Sequence, residues 1–266
     1  MAAIGETRKS LPAEIRPGVI VCPDAEGVAR LAAARFLQLS VHFSETEGKF
    51  CVALAGGSTP RPLYRLLAAS PLRERIPWSR VHLFWGDERA VPPEDPASNY
   101  GTAYRELLAH VPLPAGHVHR MGAEVADLDD AANQYANRLR HHLQLDDAGY
   151  PRFHLIVLGL GADGHTASLF PGERALENTA AWVIATAAPG AAGPAARRLT
   201  LTLGVLNAAH HVIFLVTGPE KAHVLWRVLE DPAADLPAQR VQPRQGERLI
   251  LADAAAASRF LFGGGS

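Results

Sequence analysis

Short apolar runs alternate along the chain with longer segments in which apolar and polar residues are mixed. The apolar runs are rich in β-branched residues and end at turn-forming residues, so they predict strands. These predicted strands span residues 19–22, 50–55, 81–85, 153–159, 182–186, 211–217 and 248–251. The mixed segments predict helices over residues 25–43, 60–69, 99–108, 125–145, 203–209 and 220–229.

Strands that alternate with helices are typical of a parallel sheet covered on both faces. We therefore expect an α/β fold with a doubly wound, mostly parallel, Rossmann-like sheet and helices on both faces. The sequence has no internal repeat, and the alanine-, glycine- and proline-rich stretch 185–196 is interpreted as a loop, not a domain linker. These features predict a single α/β domain over residues 1–262, followed by a flexible tail over 263–266.

Composition limits the kinds of molecule that we expect the chain to bind. The chain has 266 residues, 48% of them hydrophobic, and a net charge of −1, so it has no global field to attract nucleic acid or an anionic membrane. Cys22 and Cys51 are too few for a disulfide framework, and we expect buried free thiols. Residues 1–20 lack the apolar core of a signal peptide, and no apolar run approaches a membrane span. We expect a cytoplasmic protein with no nucleic-acid, membrane or obligate protein partner.

Polar, glycine-bearing loops follow four of the predicted strands. They span residues 56–60, 86–89, 161–166 and 217–221. Because active loops of open α/β folds emerge at the carboxyl ends of the strands, these four segments predict one site at one edge of the sheet.

The first loop, Gly56-Gly57-Ser58-Thr59, joins a strand to a helix. Its glycines let backbone N–H groups turn toward an anion, its hydroxyls add donors, and the helix start contributes its positive end. It lacks the Gly-Lys-Ser/Thr ending of a P-loop. The loop is therefore either a phosphate cradle or an ordinary helix start capped by serine or threonine.

Charged residues in the other loops favour an anionic, polyhydroxylated ligand. Lys221 falls in a first helical turn, where the helix dipole disfavours a cation unless an anion binds there. Either Arg197 or Arg198, ahead of a predicted helix, supplies a forked donor for the same anion, or the two form a charged pair on a surface loop. Asp87 and Arg89 form a mixed-sign site, or else a helix cap with a surface ion pair.

The loop after the strand 153–159 has two incompatible interpretations. Its glycines spell G-x-G-x-x-G, the pattern of a dinucleotide-binding loop, but the next strand does not end in the acid that binds ribose. Asp163 would also lie against a doubly charged pyrophosphate. We therefore favour an acid–base pair in which His165 is the general base, since histidine titrates near neutral pH.

The remaining histidine pairs, 141–142 and 210–211, have no companion ligands at a recognisable metal spacing. We interpret them as structural or solvated. The sequence predicts neither a metal nor an organic cofactor.

Taken together, the loops resemble those of the 6-phosphogluconolactonases, within a larger family that also contains glucosamine-6-phosphate deaminases. The resemblance rests on residues 54–60, 85–89, 98–100, 159–171, 198–200 and 218–222. It implies hydrolysis of a small phosphorylated sugar lactone, 6-phospho-D-glucono-1,5-lactone, in the oxidative pentose phosphate pathway. His165 matches the family's proposed general base, Asp163 the neighbouring aspartate and Arg89 the arginine assigned to lactone handling. Positions expected around the substrate phosphate match Gly57, Ser58, Thr59, Arg198 and Lys221.

Two positions distinguish the lactonases from the deaminases within this larger family. Deaminase-like relatives carry a glutamate shortly after the Asp-Gly-His element, where this chain has Phe170. Arg89 likewise replaces an aromatic residue that often follows Asp-Glu in the deaminases. A deaminase needs several acid–base groups and a lactonase needs an activated water, so both differences favour the lactonase. The alternatives are a sugar-phosphate isomerase or deaminase, a non-catalytic sugar-phosphate sensor and, more weakly, a dehydrogenase.

Overall fold

The computed structural model of the chain describes residues 12–177 and 180–261. Residues 1–11, which begin the segment that lacks a signal-peptide core, lie outside the described residues. So do residue 262, the last of the predicted domain, and the predicted tail 263–266. The strands are β1 Ala13–Arg16, β2 Val19–Cys22, β3 Phe50–Leu54, β4 Val81–Trp85, β5 Asp87–Arg89, β6 Leu155–Gly159, β7 Val183–Ala187, β8 Arg197–Leu201, β9 His211–Val216 and β10 Glu247–Asp253. The α-helices are α1 Ala25–Thr46, α2 Arg61–Ala68, α3 Leu72–Arg75, α4 Asn99–Glu106, α5 Leu128–His142, α6 Leu203–Leu206, α7 Ala222–Glu230, α8 Pro237–Arg240 and α9 Ser258–Leu261.

Seven strands form the main sheet in the order β1-β2-β10-β9-β6-β3-β4. From β2 to β4 every neighbouring pair is parallel, and β1 adds an antiparallel strand at one edge. The fold class predicted from the sequence, a mostly parallel α/β sheet with helices, is confirmed.

The central strands consist almost entirely of apolar residues because both of their faces are covered. All five residues of β3 are buried, as are the first four of β6. Helix α1 begins where the Asp24 carboxylate accepts a hydrogen bond from the Gly27 amide at 2.7 Å. Its buried face includes Phe36, which packs edge to face on Phe50 of β3 with ring centroids 5.3 Å apart.

A second sheet of three antiparallel strands, in the order β5-β8-β7, corrects three sequence-based expectations. The strand predicted over 182–186 exists as β7, but it lies outside the parallel sheet. Part of the predicted loop 185–196 belongs to that strand. Asp87–Arg89 and the Arg197–Arg198 pair, both expected on loops, lie on β5 and β8. Charged residues make up β5 and begin β8, so neither short strand shows the alternation of apolar and polar residues that predicts a strand.

The free edge of β4 is covered by side chains and by the segment around residue 118. The Tyr135 hydroxyl accepts a hydrogen bond from the Trp85 amide at 2.9 Å and donates to the Trp85 carbonyl at 3.0 Å. Val118 bridges to Leu83, and the His119 amide donates to the Leu83 carbonyl at 2.8 Å. The edge strand is therefore not left open for pairing with another chain.

Cys22 and Cys51 are buried free thiols, as predicted. Burial raises the pKa of Cys51 to about 12, so this thiol is unreactive near neutral pH. None of the helices in the described ranges is long and apolar enough to span a membrane.

Candidate active site

Four loops meet at one edge of the main sheet. Strands β9, β6, β3 and β4 are consecutive and parallel, so the segments that follow them all leave from the carboxyl edge. Neighbouring strands lie about 4.8 Å apart. The loop after β6, which carries Asp163 and His165, is therefore flanked by the loop after β3 on one side and the loop after β9 on the other.

Asp163 and His165 are in direct contact. The Nδ1 of His165 lies 2.5 Å from Oδ1 of Asp163, and the His165 amide donates to the same oxygen at 3.1 Å. Partial burial raises the pKa of Asp163, but the His165 amide and imidazole outweigh this effect and the net pKa is lowered. An ionised carboxylate only accepts hydrogen bonds, so it fixes the proton on Nδ1 and leaves the Nε2 lone pair available.

Glycines allow the loop to close this tightly. A Cβ at Gly161 would lie 2.1 Å from Nδ1 of His165, and the Gly161 amide donates to the His165 carbonyl at 2.8 Å. Gly164 has φ +90, a conformation that favours glycine, and its carbonyl accepts from the Ala238 amide at 3.2 Å.

The same loop does not have the geometry of a dinucleotide site. No α-helix begins directly after Gly164, and among the described residues the first helical turn beyond it is a 3₁₀ turn over Arg174–Glu177. The next strand, β7, belongs to the other sheet. A dinucleotide loop requires a helix N-terminus for the pyrophosphate and a following parallel strand, so the G-x-G-x-x-G match is coincidental.

Phe170 forms an apolar wall beside the histidine. Its ring centroid lies 4.8 Å from that of His165, and the guanidinium of Arg198 lies 5.9 Å above the same ring. Phe170 is 4% exposed. Phe170 thus contacts both the candidate base and a candidate anion-binding cation, without offering a proton.

Arg198 faces Arg89 across the β5–β8 pair. The two residues are register partners, and the Nε atom of each is buried without a hydrogen-bond partner among the described residues. Burial, together with the nearby Arg89, lowers the pKa of Arg198. Two adjacent guanidinium groups with unused donors are suited to binding an anion.

The structure distinguishes Arg198 from its neighbour Arg197. Successive side chains of a strand point to opposite faces. Arg197 is exposed and donates to the Ala126 carbonyl at 3.0 Å, whereas Arg198 lies over Phe170 and 4.0 Å from the Asp87 carboxylate. Arg198 is thus the arginine that lies with the other candidate residues.

Asp87 is buried and holds neighbouring residues in place through hydrogen bonds. It is 6% exposed, and its carboxylate accepts from Asn99 Nδ2 at 3.1 Å and from the Ser168 hydroxyl at 2.7 Å. Asn99 also explains why residue 56 is glycine, because a Cβ there would lie 1.7 Å from Oδ1 of Asn99. Gly56, Asp87 and the segment after His165 are thereby linked through Asn99 and Ser168.

Sequence reasoning did not assign roles to Glu88, Asn99 and Ser168. Glu88 is 5% exposed and accepts from the amides of Arg89, Asn99 and Tyr100, each at 2.8 Å, so it anchors the start of α4. Its burial raises the pKa of Glu88. A buried polar residue with several donors around it is recognised only once the tertiary contacts are known.

The loop Gly57-Ser58-Thr59 is presented to solvent at the start of α2. Neither hydroxyl caps this helix, because its N-cap is Pro60, which makes no side-chain hydrogen bond. Ser58 is exposed and Gly57 has φ +85. No side-chain hydrogen bond caps the start of α2, and the phosphate cradle stays a prediction. Behind it, the buried Tyr64 hydroxyl donates to the Ala55 carbonyl at 2.5 Å.

Lys221 ends the 3₁₀ turn Pro219–Lys221, immediately before α7. The turn is anchored by Asp253, whose carboxylate accepts from the Gly218 amide at 3.0 Å and from the Ala256 amide at 2.7 Å. Within the described ranges, no hydrogen bond or ion pair joins Lys221 to another candidate residue. Its cation is free to bind a ligand at the edge beside the His165 loop.

Comparison with known proteins agrees with this architecture. The family model described as glucosamine-6-phosphate isomerases/6-phosphogluconolactonase matches residues 23–250. The chain is 42% identical to a 6-phosphogluconolactonase from Synechocystis over 209 residues, covering 77% of this chain and 82% of that protein. It is also 42% identical to a 6-phosphogluconolactonase from Rattus norvegicus over 211 residues, covering 79% and 80%.

A solved structure shows the same similarity in three dimensions. The 6-phosphogluconolactonase from Trypanosoma brucei aligns with a TM-score of 0.79 and 29% identity, over 92% of this chain and 99% of that one. The family model alone spans most of the sequence, and the relatives are similar over most of their own lengths. This chain therefore belongs to the family of the glucosamine-6-phosphate isomerases and 6-phosphogluconolactonases.

Proposed function

We propose that this protein is a 6-phosphogluconolactonase, which hydrolyses 6-phospho-D-glucono-1,5-lactone to 6-phospho-D-gluconate in the oxidative pentose phosphate pathway. The observation that carries the proposal is the 2.5 Å contact between Asp163 and Nδ1 of His165 at the carboxyl edge of the sheet. It leaves the other imidazole nitrogen as a base on a side chain that is 32% exposed, and therefore accessible to water and substrate.

In the first step, Nε2 of neutral His165 removes a proton from water as the water oxygen attacks the lactone carbonyl. A C–O bond forms, and the carbonyl oxygen takes the negative charge. Asp163 stabilises the resulting imidazolium through its hydrogen bond to Nδ1. Arg89 lies on the strand that faces Arg198, and its positive charge favours the developing oxyanion.

In the second step, the tetrahedral intermediate collapses and the bond between the carbonyl carbon and the ring oxygen breaks. The imidazolium of His165 returns its proton to the departing ring oxygen, which becomes a hydroxyl of the open-chain acid. General acid–base catalysis of this kind contributes about 10²–10⁴-fold. No redox change occurs, and these residues account for the reaction without a cofactor.

The substrate phosphate is assigned to the donors on both sides of the catalytic loop. The 57–59 loop offers backbone amides and two hydroxyls, Lys221 offers an ammonium group, and Arg198 offers a guanidinium next to that of Arg89. Asp87 orients Arg198 and is itself held by Asn99 and Ser168. Phosphate binding fixes the ring relative to His165 and so lowers the entropic cost of attack.

Phe170 favours lactone hydrolysis over deamination. A deaminase moves protons between several atoms of a ring-opened sugar, and it needs acid–base groups beyond one histidine. Here the ring of Phe170 occupies the wall next to His165 at a centroid distance of 4.8 Å. Lactone hydrolysis needs only the histidine and oxyanion stabilisation.

We place the enzyme in the cytoplasm, acting on a small phosphorylated lactone without an obligate protein partner. Both cysteines are free, which suits a reducing compartment.

The deciding assay generates the lactone in situ and couples released 6-phosphogluconate to an NADP-dependent dehydrogenase. The rate of spontaneous hydrolysis is measured in parallel and subtracted. We expect a large acceleration by the wild-type protein. A rate equal to the background at micromolar protein would contradict the assignment, and release of ammonia from glucosamine 6-phosphate would favour a deaminase instead.

A further inference from the structure

Three histidines from distant parts of the chain meet at the end of the sheet opposite the catalytic loops. His82 is the second residue of β4, His119 belongs to the segment that covers the β4 edge, and His142 is the last residue of α5. One ring nitrogen from each lies within 4.8 Å of the others. We propose that His82, His119 and His142 form a binding site for a divalent transition metal of the zinc class.

The distances suit three ligands of one ion. Nδ1 of His82 lies 3.1 Å from Nε2 of His119. With Zn–N bonds of about 2.0–2.1 Å in a tetrahedral site, ligand nitrogens lie about 3.3 Å apart. In this structure the His82 and His119 nitrogens share a hydrogen bond at nearly this spacing, and a bound ion would replace that bond. The His142 nitrogen lies within 4.8 Å of the other two, so binding would require its ring to turn toward the ion. Three histidines leave a fourth position for water.

The ligands are held by backbone contacts on three sides. The His119 amide is fixed to the Leu83 carbonyl at 2.8 Å, which sets it beside the edge strand that carries His82. The His142 carbonyl accepts from Nζ of Lys49 at 2.5 Å. His117 stacks on His82 with ring centroids 3.8 Å apart, and its Nδ1 is 2.9 Å from the Val81 carbonyl. The site is therefore partly preorganised.

The chemistry of the cluster selects the ion. Three imidazoles without a carboxylate suit zinc, copper or nickel rather than calcium or magnesium. Each of the three offers one imidazole nitrogen, and it is the neutral imidazole that binds a metal. The cations Lys49 and Arg138 lie close enough to oppose positive charge here. We therefore expect weaker binding than in a structural zinc site with cysteine ligands.

The metal would stabilise the fold and would not be part of the catalytic centre. His82 lies near the amino end of β4, whereas the candidate catalytic residues follow the carboxyl ends of the strands. Over a strand of this length the two ends are about 15 Å apart. An ion at the cluster would join β4, the segment around residue 119 and the end of α5.

The test uses the full chain, freed of metal by a chelator that is then removed, and titrated with Zn²⁺ by calorimetry and with Co²⁺ by visible absorption. We expect one ion per chain, a tetrahedral Co²⁺ spectrum and a rise in the melting temperature with Zn²⁺. His142→Gln should weaken binding at least about tenfold, because even outer-shell changes cost 10–100-fold. His141→Gln is the matched control on the adjacent, exposed residue and should bind normally.

His82→Gln is the second variant, and melting temperatures without metal establish that each variant is folded. His165→Ala should retain the ion, since the catalytic pair lies at the other edge. Absence of saturable binding by the wild type would overturn the proposal. Equal affinity of His142→Gln, His141→Gln and the wild type, or loss of the ion in His165→Ala, would also overturn it.

Discussion

Arg89 and Arg198 lie opposite each other on antiparallel strands, and each has a buried Nε without a partner among the described residues. Like charges in this arrangement repel, and an anion between or beside them relieves the repulsion. We therefore expect an anion bound at this pair to stabilise the small sheet.

We expect Arg198→Met to raise KM for the lactone at least tenfold. The ligand-induced rise in melting temperature with 6-phosphogluconate should shrink, because a ligand at 100 times its Kd stabilises a protein by about 2.7 kcal/mol, and the same concentration at tenfold weaker affinity by about 1.4 kcal/mol. Arg197→Met is the control, since that side chain is exposed and bonded to the Ala126 carbonyl. Equal effects of the two variants would remove Arg198 from the phosphate site.

Replacing the candidate base should separate chemistry from binding. His165→Ala is expected to lower kcat by about 10²–10⁴-fold, the contribution of general acid–base catalysis. Binding of 6-phosphogluconate, measured by calorimetry, should change less than threefold. A variant that keeps wild-type kcat would show that another group activates water.

Asp163→Asn tests the role of the carboxylate as a positioning group. The amide keeps the shape of the side chain but loses the charge that stabilises the imidazolium, so kcat should fall at least about tenfold. KM should stay near its wild-type value because Asp163 does not reach the phosphate donors. A loss confined to KM would contradict this role.

Tyr64→Phe probes the support behind the 57–59 loop. Removing the hydroxyl leaves the buried Ala55 carbonyl without its partner, at a cost of about 1–3 kcal/mol in the free energy of unfolding. Urea denaturation measures this loss. Tyr104→Phe, at a side chain that is 49% exposed, should change stability by less than about 0.5 kcal/mol. Equal losses in the two variants would mean that the Tyr64 hydroxyl does not support the loop.

The stability of the protein should fall as the pH falls below about 6.5, and His210 contributes to this dependence. Burial, and then the charge of Arg152, lowers the pKa of His210 to about 4. Between about pH 6.5 and 4 the unfolded chain binds a proton that the folded chain does not, so the free energy of unfolding decreases toward acid.

His210→Asn should therefore flatten this part of the curve, measured by urea denaturation at several pH values with chelator present. His223→Asn, at an exposed position, serves as the control and should leave the slope unchanged. An unaltered slope in His210→Asn would mean that this histidine does not titrate differently in the two states.

The sequence predicts the parts of the site that depend on single strand ends. Apolar runs locate β3, β4, β6 and β9, and parallel pairing then brings their loops to one edge. Asp163 and His165 are close in sequence, so a tight glycine turn is enough to bring them together.

The small sheet was not predictable in the same way. Its register pairs Asp87 with Thr200 across more than a hundred residues, and β5 and β8 are too short and too charged to produce a periodic signal. The cluster of His82, His119 and His142 could not be predicted either, because these residues are not spaced along the chain in a recognisable ligand pattern.

The small sheet also has a consequence for how the enzyme forms. Its strands come from residues 87–89, 183–187 and 197–201, so Arg89 meets Arg198 only after most of the polypeptide has been synthesised. Such non-local pairing is slow because long loops must close first. In refolding experiments, phosphate-ligand binding should therefore appear after the main sheet's secondary structure, and a nascent chain ending before residue 197 could not hold the substrate.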